Sequence, residues 1–298
     1  MNQYNEILDE NIKKIIDSIA EQTAKESYED QISKYKELIS LFKTNTQTCA
    51  ILGLDIYKYS KFEENKQNLI PYIFHNIYKD TVNDLLKLET IFFPGLDKKD
   101  FNETLIETGD GGFQIFSSPL QALIFVLYFE SNLRVYNSLP DKYSLEPFVG
   151  PITLRYCITY GETFKYNANY YGQALINNSR IISKDSLNRL LIDDKTHKWF
   201  MEKVGGVESL QILNLDDISQ ILSDKSPIEE NKYSFIFDLP DSNRFIGIHC
   251  LRLESFEMKG SKFDIYDLYL QIQMSRSLTN EIEKKYVITI GNLNTSGI

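Results

Sequence analysis

Cysteine and histidine are scarce in this chain, with three of each among 298 residues. Cys49, Cys157 and Cys250 lie far apart in apolar stretches and have no spacing typical of a metal site. We therefore expect buried free thiols and a reducing compartment. The histidines share no spacing with one another or with a cysteine or serine, which argues against a zinc site or a histidine-based catalyst.

Positive charge and long apolar runs are lacking as well. The chain has 32 Lys and Arg against 42 Asp and Glu, a formal net charge of −10, which argues against a nucleic-acid-binding surface. A bound divalent cation would still permit a small anionic substrate. The apolar run 122–129 ends at Glu130, short of the ~20 residues of a membrane-spanning helix. The start, MNQYNEILDENIKK, is too polar for a signal peptide. We expect a cytoplasmic protein without a membrane or nucleic-acid partner.

Hydrophobic periodicity divides the chain into three parts. Residues 1–44 carry apolar residues three and four apart, as amphipathic helices do. Residues 45–204 follow the order strand, helix, hairpin, helix, strand, helix, which predicts an α+β domain with helices on one face of a sheet. Residues 205–298 predict a smaller β-rich module, with strand-like segments at 209–215 and 233–239 and a candidate mobile loop at 222–232.

Two carboxylates lie where strands are predicted to end. Asp55 follows the continuous apolar run 49–54, which is typical of a strand buried on both faces. Asp110 lies in LIETGDGGFQIF, where Asp110-Gly111 is the pair favoured at the centre of a type I′ hairpin turn. Side by side on adjacent strands, the carboxylates would repel each other. A pair of divalent cations would relieve the repulsion and serve displacement at phosphorus.

Asp110 has more glycine around it than a hairpin turn needs. Gly109 precedes it, and Gly111 and Gly112 follow. Residues without a side chain let a triphosphate come close to backbone N–H groups. The plainer interpretation is that Asp55 is a strand-end turn residue and that Asp-Gly is an ordinary turn, but it leaves Gly109 and Gly112 unexplained.

Two arginines complete the polar pattern. Arg180 lies eight residues after Gly172 on a predicted helix, where it could stabilise charge on phosphates. A solvated helix position would also explain Arg180. Arg155, on a predicted strand, is expected to be structural and to pair across the sheet.

Four segments in order resemble the class III nucleotidyl cyclases over roughly residues 48–184. LDIYKYSKF is similar to the family's first metal-binding strand, and TGDGGFQIF to its Gly-Asp-Gly hairpin. LRYCITYGE resembles the Arg-x-Gly-Ile-x-x-Gly strand, and NYYGQALINNSRI the Tyr-x-Gly and Asn-x-x-x-Arg helix. The resemblance implies a ferredoxin-like sheet and attack of the ribose 3′-hydroxyl on the α-phosphorus. The products would be a 3′,5′-cyclic nucleotide and pyrophosphate.

The resemblance also implies the parts of the site. Asp55, Asp110 and the carbonyl of Ile56 would bind two divalent cations, Mg²⁺ or Mn²⁺, and Arg180 would contact the phosphates. A homodimer would have its active sites at the subunit interface, and a downstream effector would read the cyclic nucleotide. Residues implied to line the substrate are Ile56, Tyr57, Tyr59, Ser60, Ile106, Gly109, Gly111, Asn169, Gly172 and Asn177.

Three departures from the family pattern bear on the base. The Lys and Asp that read adenine in adenylate cyclases are replaced by Ile106 and Asn169, and an aliphatic side chain cannot donate to a purine nitrogen. The transition-state Asn falls at Ile176, with Asn177 one residue later. Tyr57 and Tyr59 would narrow a base pocket. The chain therefore resembles the Pycsar cyclases, which make cyclic UMP or cyclic CMP in anti-phage defence, and we favour UTP over CTP.

Two alternatives stay open at this point. The chain could be a cyclase-fold nucleotide sensor without turnover, or a purine cyclase such as an adenylate cyclase. A diguanylate cyclase is disfavoured, because the hairpin has the sequence Gly-Asp-Gly-Gly.

Overall fold

The computed structural model describes residues 10–17, 28–44, 46–138, 145–166, 169–222, 233–237, 245–253, 255–258, 261–279 and 282–292. The helices are α1 (10–17), α2 (Tyr28–Thr44), α3 (Glu64–Gln67), α4 (Ile70–Leu88), α5 (Lys98–Glu103), α6 (Pro119–Ser138), α7 (Glu146–Val149), α8 (Gln173–Lys184), α9 (Asp194–Lys203) and α10 (Leu215–Leu222). The strands are β1 (Thr46–Ile56), β2 (Leu105–Glu107), β3 (Gly111–Phe116), β4 (Leu154–Tyr166), β5 (Asn169–Tyr171), β6 (Leu190–Asp193), β7 (Phe245–Arg252), β8 (Phe256–Met258), β9 (Ser261–Phe263), β10 (Ile265–Thr279) and β11 (Ile282–Ile290).

A single mixed sheet organises the fold in the order β11-β10-β6-β4-β1-β3-β2, with β5 paired to β4 and β7 paired to β10. Strand β1 lies between β3 and β4 and is antiparallel to both, whereas β4 and β6 are parallel. The prediction of an α+β fold built on a central sheet is confirmed.

Helices cover both faces of the sheet, which corrects the prediction of helices on one face. Alternate side chains of β1, among them Leu52 and Leu54, pack with α4 and α6. The intervening side chains of Cys49 and Ile51 pack with Ala174 of α8 on the other face. The physical reason is the continuous apolar run of β1, since a strand without polar positions needs cover on both sides.

Three of the strands after residue 205, β7, β10 and β11, extend the same sheet, whereas β8 and β9 pair only with each other among the described strands. Residues Ile265–Asp267 of β10 pair with β6, and β7 and β11 pair with β10. The boundary at residue 205 stays a prediction of the sequence. Of the candidate loop 222–232, only Leu222 lies within the described residues. Among the helices that the structure describes, none is long and apolar enough to span a membrane.

Two strand predictions in this region are wrong. Residues Val207–Gln211 form a 3₁₀ turn, and α10 begins at Leu215. Asn214 and Asp217 exchange backbone-to-side-chain hydrogen bonds of 2.9 and 3.0 Å, a helix-start arrangement that outweighs the strand-like pattern. Residues 233–237 form a turn, which a buried Glu89 holds through Ser234 and the backbone N–H of Ile236.

Candidate functional site

The end of β1 brings the two predicted carboxylates together. Asp55 is the residue before the last of β1, and its register partner on β3 is Gly111, which directly follows Asp110. The backbone N–H of Ile56 donates to the carbonyl oxygen of Asp110 at 2.9 Å. The hairpin tip is therefore tied to the strand end, and the two carboxylates are close enough for the charge of Asp110 to raise the pKa of Asp55.

The hairpin turn differs by one residue from its prediction. The N–H of Thr108 donates to the carbonyl of Gly111 at 3.1 Å, which puts Gly109 and Asp110 at the two central positions. Gly109 has a φ of 92°, and a type II′ turn takes glycine at this first position. Asp110 therefore occupies the tip of the turn.

Gly111 and Gly112 have a steric role rather than a turn role. A Cβ on Gly111 would lie 1.9 Å from the carbonyl oxygen of Leu54, and one on Gly112 would lie 2.8 Å from that of Ile106. Each contact is shorter than van der Waals distance. The glycines that the sequence analysis assigned to ligand approach thus let the hairpin pack closely against β1 and β2.

Arg155 lies in the site, opposite Asp55 on β4. Its Nε and Nη2 both contact Oδ2 of Asp55, at 2.7 and 2.6 Å. Burial raises the pKa of the Asp55 carboxyl, the Arg155 guanidinium lowers it, and Asp110 raises it. Arg155 thus pairs across the sheet as predicted, and its partner is the predicted site residue Asp55. Only the strand register could reveal this, since the two residues are a hundred positions apart.

The turn after α8 supports the same end of β1. Arg155 Nη1 donates to the carbonyl of Asp185, and the Tyr57 hydroxyl donates to the carbonyl of Ser186 at 2.8 Å. The guanidinium lies over the Tyr57 ring, 5.9 Å from its centroid. Asp185 itself is 2% exposed and pairs with the fully buried Arg189 at 2.8 Å. The sequence analysis missed Asp185 and Arg189, for which the only sequence signal is opposite charge four residues apart.

The oxygen donors at the end of β1 fit a hard divalent cation. Carboxylate and carbonyl oxygens are the ligands that Mg²⁺ and Mn²⁺ prefer, and Mg²⁺ is commonly held by one or two carboxylates together with substrate phosphates. Within the described part of the chain, the Asp110 carboxylate accepts a single hydrogen bond, from the Thr108 hydroxyl at 3.4 Å. Oδ1 of Asp55 is not engaged by Arg155. In that part of the chain no group of three or more His, Cys, Asp or Glu could hold a metal by itself.

Gly172 is the N-cap of helix α8, and a Cβ there would lie 2.5 Å from the carbonyl oxygen of Glu162. The fully buried Asn178 fixes the helix on the sheet by donating to the carbonyls of Ile51 and Cys157 at 2.7 and 2.8 Å. At roughly 100° per residue, Arg180 then projects from the helix side that faces away from the sheet. Arg180 is half-buried at this position.

The two residues at the transition-state position differ in exposure, since Ile176 is exposed and Asn177 is half-buried. Ile176 is 45% exposed, and the Asn177 side chain accepts a hydrogen bond of 2.6 Å from Gln173.

The predicted base-reading residues border one buried cluster on the α8 face. Ile106 packs against this cluster, which includes Ile115 and Tyr170. The neighbouring Asn169 is exposed, and its side-chain oxygen accepts a hydrogen bond from the N–H of Tyr170 at 2.9 Å. Asn169 pairs with Tyr166, at the far end of β4 from Arg155. At about 3.3 Å per residue along β4, Asn169 therefore lies roughly 30 Å or more, on the order of eleven residues, from the carboxylates of Asp55 and Asp110.

The remaining predicted residues of β1 and its following turn divide between the site and the core. Tyr57 is half-buried beside Arg155. Tyr59 packs against the α4 and α6 core instead, with its hydroxyl donating to the carbonyl of Gln67 at 3.2 Å. Ser60 is exposed, and the Ile56 side chain is buried in the core.

A third buried ionisable residue, Asp267 of β10, lies near the Asp185–Arg189 pair. It is 3% exposed, and burial raises its pKa to about 7, with Arg189 opposing and Asp185 adding to the rise. Between about pH 4 and pH 7 the folded chain therefore holds a proton that the unfolded chain has released. This contribution to stability is complete below the unfolded pKa and is lost as the pH rises through about 7.

We expect Asp267→Asn to gain stability relative to the unmodified chain as the pH rises from about 5 to about 8, by at most about 3 kcal/mol. Urea unfolding of both proteins across this range measures the difference. The matched control is Asp264→Asn, since Asp264 is paired with Arg252 at the surface and its pKa is lowered. Parallel stability curves for Asp267→Asn and the unmodified chain would contradict the assignment.

Comparisons with known proteins add a structural likeness. No family model matches the sequence, and no curated protein matches it. Among solved structures, an adenylate/guanylate cyclase/hydrolase from Silicibacter pomeroyi is similar at 13% identity, with a TM-score of 0.41, over 75% of this chain and 96% of that one. The adenylyl cyclase CyaB from P. aeruginosa is similar at 13% identity, with a TM-score of 0.44, over 75% and 94%.

A third similar structure is that of adenylate cyclases from Trypanosoma brucei in their monomeric state. It has 11% identity and a TM-score of 0.41, over 74% of this chain and 88% of that one. At these identities and scores, the likenesses assign neither a substrate nor an activity to this chain.

Proposed function

We propose that this chain is a nucleotidyl cyclase that converts a pyrimidine nucleoside triphosphate to its 3′,5′-cyclic monophosphate and pyrophosphate. The observation that carries the proposal is the pairing of Asp55 with the Asp110 hairpin tip, through the Ile56 N–H bond of 2.9 Å and the register Asp55–Gly111. The four motif resemblances between residues 48 and 184 support it independently.

The reaction joins the ribose 3′ oxygen to the α-phosphorus. The bond between that phosphorus and the bridging oxygen breaks, pyrophosphate leaves with its electron pair, and the hydroxyl loses its proton. Asp55, Asp110 and the carbonyl of Ile56 would hold divalent cations, Mg²⁺ or Mn²⁺, which lower the hydroxyl's pKa and neutralise the triphosphate when bound. The exposed tip of the hairpin leaves room for the triphosphate next to Asp110.

The proposed active unit is a homodimer with the sites at its interface. Arg180 projects from the outer side of α8, and Asn169 lies more than roughly 30 Å along β4 from Asp55. A single nucleotide cannot contact all of these groups in one chain. A second copy would bring its own Arg180 to the phosphates bound at Asp55 and Asp110, where a guanidinium stabilises developing charge.

The pyrimidine preference is proposed from the residues at the base-reading positions. Ile106 is apolar and packed against a buried cluster, so it offers no hydrogen bond to a purine. Asn169 already accepts a hydrogen bond from the N–H of Tyr170. UTP is favoured over CTP. A cytoplasmic second-messenger role in anti-phage defence, with an effector that reads the cyclic nucleotide, is proposed from the Pycsar resemblance alone.

A second candidate function is a nucleotide sensor without turnover. It is favoured by Ile176, an exposed isoleucine where the family has its transition-state Asn. The carboxylate pair weighs against it, since a sensor without catalysis has no need of two adjacent carboxylates that repel each other.

A four-way competition tests the function. Purified protein is incubated with ATP, GTP, CTP and UTP together with Mn²⁺, and the products are identified by mass spectrometry. We expect a cyclic pyrimidine monophosphate that is absent with Asp110→Asn. A cyclic purine product would preserve the cyclase proposal and overturn the base assignment. Binding of a nucleotide without any product, by a folded dimer, would favour the sensor.

A further inference from the structure

We propose that Asp185 is a positioning residue that keeps one oxygen of Asp55 open by tethering Arg155. The inference rests on the proposed function, in which Asp55 binds a divalent cation. It concerns a residue outside the four motif segments, on the turn that follows α8.

Arg155 engages Asp55 in an uneven way. Nε and Nη2 both contact Oδ2, at 2.7 and 2.6 Å, which leaves Oδ1 without this partner. The third guanidinium nitrogen, Nη1, donates to the carbonyl of Asp185. Arginine usually prefers a fork in which two nitrogens contact both oxygens of a carboxylate. The bond to the Asp185 carbonyl holds the guanidinium away from that fork.

The carbonyl of Asp185 can act as a tether because the turn around it is fixed. Oδ1 of Asp185 accepts from the N–H of Leu187 at 3.2 Å and from Arg189 Nε and Nη2 at 3.1 and 2.8 Å. Both side chains of the pair are almost fully buried, so water competes little for these bonds. The adjacent carbonyl of Ser186 also holds the Tyr57 hydroxyl beside the guanidinium.

Loss of the Asp185 side chain would release this turn and free Arg155 to form the two-oxygen fork. The fork would cover Oδ1 of Asp55 and compete with a cation for the carboxylate. Asp185 therefore affects cation binding without touching the cation, and its effect depends on Arg155. A merely structural role for Asp185 would not depend on Arg155.

A double-mutant cycle on Mn²⁺ affinity tests this inference. The dissociation constant of Mn²⁺ is measured from the electron paramagnetic resonance signal of the free ion, for the full chain and for Asp185→Ala, Arg155→Ala and the double variant. We expect Asp185→Ala to weaken Mn²⁺ binding about tenfold when Arg155 is present, as is typical for residues that orient a metal ligand. In the Arg155→Ala background the same change should have an effect of less than about twofold.

Further variants separate positioning from stability. Asp185→Ala leaves the Arg189 charge buried without its partner and could unfold the chain, so Asp185→Ala with Arg189→Met is measured in the same two backgrounds. Asp193→Ala removes the N-cap of α9, which bonds to the Thr196 N–H. It is the matched buried-aspartate control and should leave Mn²⁺ affinity unchanged.

The outcomes distinguish the two proposals. An equal loss of affinity in both backgrounds, or no loss in either, would overturn the role of Asp185 alone. If the unmodified chain bound no Mn²⁺, or bound it as tightly after Asp110→Asn, the two-carboxylate site itself would be wrong.

Discussion

Asp110→Asn should abolish turnover and leave the chain folded. Asparagine keeps the shape of the side chain but removes the charge that would bind a cation at the hairpin tip, so we expect kcat to fall by about a thousandfold or more. Asp110 is half-exposed, and among the described residues its carboxylate accepts one long hydrogen bond, of 3.4 Å. The cost in stability should therefore be less than about 1 kcal/mol. Cyclic nucleotide formation and urea unfolding measure the two effects.

Asp55→Asn should show the same loss of turnover with a larger cost in stability. It removes the partner of the Arg155 guanidinium, whose side chain is only 18% exposed, and breaking a partly buried pair costs about 2 kcal/mol or more. Asp264→Asn at the surface is the matched control and should keep full turnover. Near-normal activity of Asp110→Asn in a folded protein would exclude the proposed mechanism.

Mixing two inactive variants should restore activity if the sites lie between chains. Arg180→Ala alone and Asp110→Asn alone are each expected to be inactive. In a heterodimer of the two, one site carries both changes and the other carries neither. With random assortment, half of the dimers are mixed and half of their sites are intact, so a 1:1 mixture should recover about a quarter of the original activity. The measurement is turnover after unfolding and refolding the variants together.

The control for this experiment is a mixture of Asp55→Asn and Asp110→Asn. Both residues lie at the same end of β1 in one chain, so each site of a mixed dimer loses one carboxylate and no activity should return. Failure of the Arg180→Ala and Asp110→Asn mixture, with heterodimers demonstrated by mass, would place Arg180 outside the partner's site.

The sequence predicted the neighbourhood of Asp55 and Asp110 because strand ends and hairpins leave local signals. An apolar run that stops at a carboxylate and a glycine-rich turn are both short-range patterns. The predicted centre of the turn was nevertheless one residue too late. Asp110-Gly111 favours a type I′ turn, and Gly109-Asp110 suits a type II′ turn equally well. Only the Thr108–Gly111 hydrogen bond decides between them.

The sequence alone could not predict which residues of distant strands lie opposite each other. That Arg155 contacts Asp55 follows from the register of β1 with β4, and a one-residue slip would send the side chain to the other face. The tether at Asp185 depends in turn on where α8 ends above the sheet. The placement of α8 was predictable in one respect, because a strand as apolar as β1 requires cover on both faces.

Gly53 allows β1 and α8 to pack closely against each other. Gly53 lies in the middle of β1, where glycine is unfavourable, and a Cβ there would lie 2.2 Å from Oδ1 of Asn178. Glycine lowers the strand propensity of β1 but leaves room for the buried side-chain amide of Asn178, which donates to carbonyls of both β1 and β4.

Strand β10 bears on how such a protein can diversify. Residues Ile265–Asp267 of β10 pair with β6. Strands β10 and β11 therefore belong to the same continuous sheet as the strands around Asp55. A gene fusion that replaced everything after residue 205 would have to import a strand in matching register, together with side chains that fill the space of Leu268 and Leu270 against the same core. Shuffling of this segment between proteins is therefore constrained, and its variation is expected to proceed by gradual substitution and by insertions between strands.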